Sequence, residues 1–138
     1  MKFLARSEKD LITIATEFLK LYDGHRIFAF RGEMGSGKTT FISYLARAMG
    51  ITDEVSSPTY GYLNEYESPV YGMVYHFDLY RIASDEEAYD IGLEEYLYGE
   101  DYVFLEWAEN IHNLLPDNCV WVSITKDEHD TRTIEVTL

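Results

Sequence analysis

The chain has 138 residues, 46% hydrophobic and 15% aromatic, which suits one globular domain over 1–138 and is too short for a nucleotide domain plus a separate substrate domain. A net charge of −14 and a pI of about 4.5, with eleven Lys and Arg scattered along the sequence, argue against direct, tight binding to RNA or DNA; a basic protein partner suits this charge better. No apolar run approaches the ~20 residues of a membrane helix, and the charged Glu8-Lys9-Asp10 follows Met1–Arg6 too soon for a signal peptide, so a cytoplasmic protein with no membrane association is expected.

Ser7-Glu8-Lys9-Asp10 reads as a capped helix start, after which Leu11, Ile12, Ala15, Phe18, Leu19 and Tyr22 recur at three-to-four spacing until Gly24. A strand over 26–31 follows. It leads into Gly32-Glu33-Met34-Gly35-Ser36-Gly37-Lys38-Thr39, which fits G-x-x-x-x-G-K-[ST], and a helix over about 38–49 leads out. In such a strand–loop–helix context Gly35 and Gly37 let successive N–H groups point into one concavity, to which the helix adds its positive dipole end. An anion of triphosphate size is the expected ligand, contacted by Glu33, Met34, Gly35, Ser36, Gly37, Lys38, Thr39 and Thr40. Lys38 would sit on the β and γ phosphates as a catalytic cation, and the Thr39 hydroxyl would be a Mg²⁺ ligand.

Ser56-Ser57-Pro58-Thr59 is a stiff turn presenting hydroxyls, because Pro58 fixes its own φ and disfavours helix at Ser57. By its place after the loop helix, Thr59 is a candidate γ-phosphate sensor, an ordinary loop being the competing reading. Runs over 60–66 and 70–78 read as a hairpin turning at Glu67-Ser68-Pro69. The second run ends in Asp78, a candidate for metal or water chemistry, with a salt bridge to Arg81 as the alternative. Alternation is expected to turn His76 to the opposite face from Asp78, as a packed or hydrogen-bonded histidine rather than a ligand.

Ser84-Asp85-Glu86-Glu87 is a capping box opening a short acidic helix that Gly92 interrupts, and 93–98 reads as another. Tyr102-Val103-Phe104-Leu105-Glu106 is a second strand ending in a carboxylate, of Walker B type, and Trp107 follows it. Spacing leaves open which of Asp78 and Glu106 holds metal and which positions water. A helix over 108–115, then strands over 119–126 and 131–138, complete the chain as an antiparallel hairpin appended to a parallel core. The single Cys119, in an apolar run, reads as a buried small hydrophobe.

Taken together, the loop Gly32–Thr40, Ser57-Pro58-Thr59-Tyr60, Tyr75-His76-Phe77-Asp78-Leu79-Tyr80-Arg81 and Glu106-Trp107 resemble the bacterial TsaE family over nearly the whole chain. The resemblance implies a single-domain P-loop NTPase, a three-layer α/β/α sandwich with a largely parallel central sheet and antiparallel hairpin additions. It implies Mg-dependent ATP hydrolysis, weak in isolation, in support of the threonylcarbamoyl transferase and its paralogous partner (TsaD and TsaB type), which make threonylcarbamoyladenosine beside the tRNA anticodon, with tRNA expected to meet this chain only indirectly. Carried over by position, Thr39 and Glu106 would hold Mg²⁺, Asp78 would act in hydrolysis, Thr59 would be the switch, and Trp107 would lie near the nucleotide or the partner. Ala108 stands where many relatives have proline. No motif assigns the adenine pocket, for which Arg132 and residues near Ser7 remain open. Two other readings stand beside this one: a small-molecule P-loop kinase, and a non-hydrolysing ATP-gated interaction module.

Overall fold

Short apolar runs punctuated by glycines and caps become the strands of one seven-stranded sheet in the computed structural model, which describes residues 1–56 and 62–138. Thr59 and its turn lie outside the described residues. In chain order the elements are β1 (Lys2–Ala5), α1 (Glu8–Leu21), β2 (Ile27–Arg31), α2 (Lys38–Ala48), β3 (Leu63–Ser68), β4 (Gly72–Asp78), α3 (Asp85–Asp90), α4 (Leu93–Leu97), β5 (Tyr102–Glu106), a 3₁₀ segment (Ala108–Leu114), β6 (Val120–Lys126) and β7 (Arg132–Thr137). The sheet runs β1-β7-β6-β2-β5-β4-β3. Its centre, β6-β2-β5-β4, is parallel, whereas β7 joins β6, β1 joins β7 and β3 joins β4 antiparallel.

The parallel centre is covered on both faces, which is why Ile27 to Phe30 are all buried rather than alternating. On one face α1 and α2 pack an aromatic cluster: Phe18 lies 5.4 Å from Phe28 and 5.7 Å from Phe41, and Phe30 lies 5.7 Å from Phe104, ring centre to ring centre. Ile27, Ala29, Phe77, Val103 and Leu105 face the other side, against Leu93, Leu97 and Ile111. Helix starts follow the sequence closely. Ser7 Oγ accepts from Asp10 N and Ser84 Oγ from Glu87 N, while Glu87 reaches back to Ala83 N, one residue before the expected partner. At the other end of α4, the Arg26 guanidinium donates to the carbonyls of Leu97 and Asp101 at 2.6 and 3.0 Å, capping the helix from outside it.

Four details correct or refine the sequence reading. Lys2–Ala5 is a strand whose Phe3 and Ala5 are buried, not a mere apolar start. The carboxy-terminal hairpin is no appendage, since β6 pairs parallel with β2 from Val120 to Ser123 inside the core. The helix read over 108–115 is of 3₁₀ type, spans Ala108–Leu114 and is broken at Ile111 (φ −131°), and Ala108 enters it fully buried. The β3–β4 hairpin turns over Pro69-Val70-Tyr71, with Ser68 opposite Gly72. Cys119 is buried as expected, and burial pushes its thiol up to about 12.

Candidate functional site

Because the central strands are parallel, β2, β5 and β4 deliver the residues at their carboxyl ends to one edge of the sheet. Asp78 sits directly opposite Glu106, and Glu106 opposite Phe30, two residues before Gly32. The loop then passes close to β6: a Cβ on Gly32 would lie 2.4 Å from the Ile124 carbonyl oxygen, so only glycine fits. A Glu33 O to Ser36 N bond of 3.0 Å closes its turn, and Gly37, at φ +105°, starts α2 in the left-handed region. That helix start has neither a side-chain cap nor an acidic residue in its first turn, in contrast to α1 and α3. A helix start without a side-chain cap or a nearby carboxylate is the kind that suits an anion.

Met34, Gly35, Gly37, Lys38, Thr39, Thr40, Asp78, Tyr80, Glu106, Trp107 and Arg132 line one cleft of about 420 Å³. Most residues expected in the site thus converge there. Glu33 and Ser36 do not line it; they face a groove on the outer side of the loop with Ile124 and Thr125. Met34, 68% exposed, is the tip of the loop.

Lys38 is only 5% exposed. Its Nζ donates to the Gly32 carbonyl and lies 3.6 Å from the centre of the Trp107 ring, a cation–π contact. Burial pushes this ammonium below the ordinary lysine value, and Glu106, then Glu109 and Asp78, partly oppose the shift. Trp107 is held at φ 61°, an uncommon conformation for a bulky residue, with the Tyr80 ring 5.0 Å away.

Thr39 Oγ1 donates to both Glu106 oxygens, at 2.9 and 3.0 Å, and His76 Nε2 lies 2.6 Å from Glu106 Oε2. Asp78, half-buried, accepts from Tyr80 N through Oδ1 at 3.0 Å, a bond that fixes the turn after β4 and holds the carboxylate at the cleft. Among the described residues no three His, Cys, Asp or Glu gather to form a metal cage. The donor set that does exist, a hydroxyl touching a carboxylate beside an anion-binding helix start, fits Mg²⁺, a hard ion that draws most of its ligands from water and phosphate.

Three residues at the site had no definite role in the sequence: His76, Tyr80 and Arg132, the last left open for the adenine pocket. His76 is two positions from Asp78, so strand alternation puts both on one face; the expectation that it turns away was an error of parity, although its hydrogen-bonded, buried character is as expected. Tyr80, two residues after Asp78, belongs to the run that carries the resemblance, but carries no assigned role. Arg132 arrives from β7, where its Nε is buried without a partner among the described residues, and a Cβ on Gly37 would lie 2.8 Å from it.

A family model described as threonylcarbamoyl adenosine biosynthesis protein TsaE matches residues 5–134. Proteins named tRNA threonylcarbamoyladenosine biosynthesis protein TsaE are similar to most of the chain. That of Treponema pallidum is 34% identical over 124 residues, covering 90% of either chain. That of Bacillus subtilis is 37% identical over 111 residues, covering 80% of this chain and 68% of its own. The crystal structure of Bacillus subtilis YdiB matches with a TM-score of 0.77 and 28% identity, over 97% of this chain and 82% of that one.

Proposed function

The chain belongs to the TsaE family, whose members take part in the biosynthesis of threonylcarbamoyladenosine in tRNA, and we propose that it does so as a Mg²⁺-dependent ATPase acting on the threonylcarbamoyl transferase and its paralogous partner. The observation that carries this reading is the meeting, in one cleft, of the uncapped α2 start, the buried Lys38 and two carboxylates from adjacent parallel strands.

The first N–H groups of α2 and the Lys38 ammonium bind the triphosphate and spread its charge. Thr39 and Glu106 would hold Mg²⁺, which would supply positive charge to offset the negative charge of the triphosphate. Asp78, across the strand pair from Glu106 and less buried, orients the attacking water. Trp107 walls off the Lys38 side of the cleft, and Arg132 meets the loop at Gly37, the end of the site where α2 begins. Thr59 is assigned the γ-phosphate sensor on its position in the sequence alone. The arginine among the cleft's lining residues, Arg132, is set on β7 beside Gly37 rather than projecting from a loop as an arginine finger does, and such a group can be worth ~10³–10⁵ in rate, so hydrolysis is expected to be slow until the transferase pair is added.

Reconstituted tRNA threonylcarbamoylation, with wild type compared with Lys38→Ala, Asp78→Ala and Glu106→Ala, tests this. Loss of multiple-turnover product in all three, with ATP still bound by Asp78→Ala, is the expected result. Normal product from Asp78→Ala and Glu106→Ala would favour a docking module, and ATP consumption that depends on a small acceptor rather than on the transferase pair would favour a kinase.

A further inference from the structure

Behind the Glu106 carboxylate stands a column of polar side chains, buried at His76 and Tyr66 and half-buried at Asn64, that the chemistry above does not use. His76 has no exposed surface, and its Nε2 lies 2.6 Å from Glu106 Oε2. Its Nδ1 faces the Tyr66 hydroxyl at 3.5 Å; Asn64 Nδ2 donates to that hydroxyl at 3.3 Å and to the Ser56 carbonyl at 2.8 Å. The register explains the column. Asn64 is paired with His76 across β3 and β4, His76 with Phe104, and Asp78 with Glu106 across β4 and β5, so the side chains rise on one face of the sheet. The neighbours on that face, Val74 and Phe104, are apolar and fully buried.

One assignment of protons satisfies the whole column. Asn64 can only donate through its amide nitrogen, so the Tyr66 oxygen accepts from it and its O–H is turned to His76 Nδ1. Nδ1 is then an acceptor, Nε2 carries the hydrogen, and it donates to Glu106 Oε2. Donors run in one direction, from Asn64 through Tyr66 and His76 to the carboxylate, where Thr39 meets it from the opposite side. A carboxylate 3% exposed and held from two sides has its orientation fixed.

We propose that His76 is a positioning residue for Glu106: it holds the carboxylate so that an oxygen is presented to Mg²⁺ beside Thr39, and Tyr66 sets the tautomer that lets it do so. The inference rests on the Mg²⁺-nucleotide reading of the site.

The test is binding of a non-hydrolysable ATP analogue, measured by calorimetry across a Mg²⁺ titration and again in EDTA, with folding followed by thermal melting. If wild type binds no more tightly with Mg²⁺ than without it, the site reading itself fails. Given that tightening, His76→Leu is expected to need about tenfold more Mg²⁺ while its Mg²⁺-free affinity stays within about twofold of wild type. His76→Gln, which places an amide N–H near the position of Nε2, should recover most of the difference, and Tyr66→Phe should shift the requirement in the same direction by about two- to threefold. A folded His76→Leu protein with the wild-type Mg²⁺ requirement, or one weakened equally with and without Mg²⁺, overturns the proposal. Should His76→Leu fail to fold, the other two variants decide: an unchanged requirement in Tyr66→Phe, or a full tenfold loss in His76→Gln, counts against it.

Discussion

At the scale of single residues, Lys38 works against the fold that holds it. Its ammonium is pushed below the ordinary lysine value, chiefly because burial strips its water, so the charge is less favourable in the folded chain than in the unfolded one. The sign follows: between the lowered native value and the unfolded value of about 10.4 the unfolded chain binds more protons, and this residue's contribution to stability rises with pH across that window. Lys38→Met is therefore expected to melt at or above the wild-type temperature near neutral pH and to lack that rise, while ATP affinity falls roughly 10–100-fold. Calorimetric melts and binding titrations of the same preparation check both halves. A clear drop in melting temperature would mean that the contacts with Gly32 and Trp107 outweigh desolvation, and that the lysine is structural. Such a residue is legible in sequence because its meaning is local: the loop spacing places Lys38 and Thr39 without knowledge of the fold. Arg132 is the opposite case. It reaches Gly37 only through the pairing of β7 with β6, ninety-five residues along the chain, and nothing near it in sequence marks the contact.

Elements were legible where their signals are chemical and obscure where they depend on neighbours. Ser7 and Ser84 announce α1 and α3 because capping is a bond between residues three apart. β1 has four residues and is a strand only because β7 lies beside it, while the character of β6, core rather than appendage, depends on its alignment with β2. Gly32 reports on that alignment. An added Cβ would meet the Ile124 carbonyl at 2.4 Å and Ser36 Oγ at 2.6 Å, and β6 cannot retreat, being hydrogen-bonded to β2 on one side and β7 on the other. Gly32→Ala is expected to destabilise the protein by about 2–3 kcal/mol, lowering the melting temperature by on the order of 10 °C. Gly35→Ala, with no atom within 4 Å of its Cβ, meets only the left-handed strain of φ +81° and should lose about 1 kcal/mol. Thermal melts of the two variants side by side check the ranking; equal stabilities would show that the loop does not lie against β6.

Across the whole molecule charge outweighs any single contact, and it is unevenly placed. Between Ile82 and Thr125 the sequence has eleven carboxylates and no Lys or Arg, so the layer formed by α3, α4 and the 3₁₀ turns is strongly acidic, with the Arg26 guanidinium brought to it at the end of α4. The opposite layer carries Lys9, Lys20 and Arg47 among its acids. Two consequences oppose each other. A field of this sign speeds encounter with a basic surface, and it also strains the folded state, because folding brings like charges closer than the unfolded chain does. Raising salt from about 0.01 M to about 0.1 M shortens the screening length from ~30 Å to ~10 Å, enough to uncouple carboxylates across the acidic layer. Among the described residues the Lys–carboxylate pairs Lys2–Glu135 and Lys126–Asp130 are exposed and offset little of this. The melting temperature is therefore expected to rise by roughly 2–5 °C over that salt range at neutral pH. Near the pI of about 4.5, where the carboxylates are partly protonated, the rise should shrink toward zero. Melts in a matrix of salt and pH check both trends. A melting temperature that falls with salt at neutral pH would show that attraction, not repulsion, governs this surface, and the acidic layer would then have to be paired with cations that the fold brings in from elsewhere.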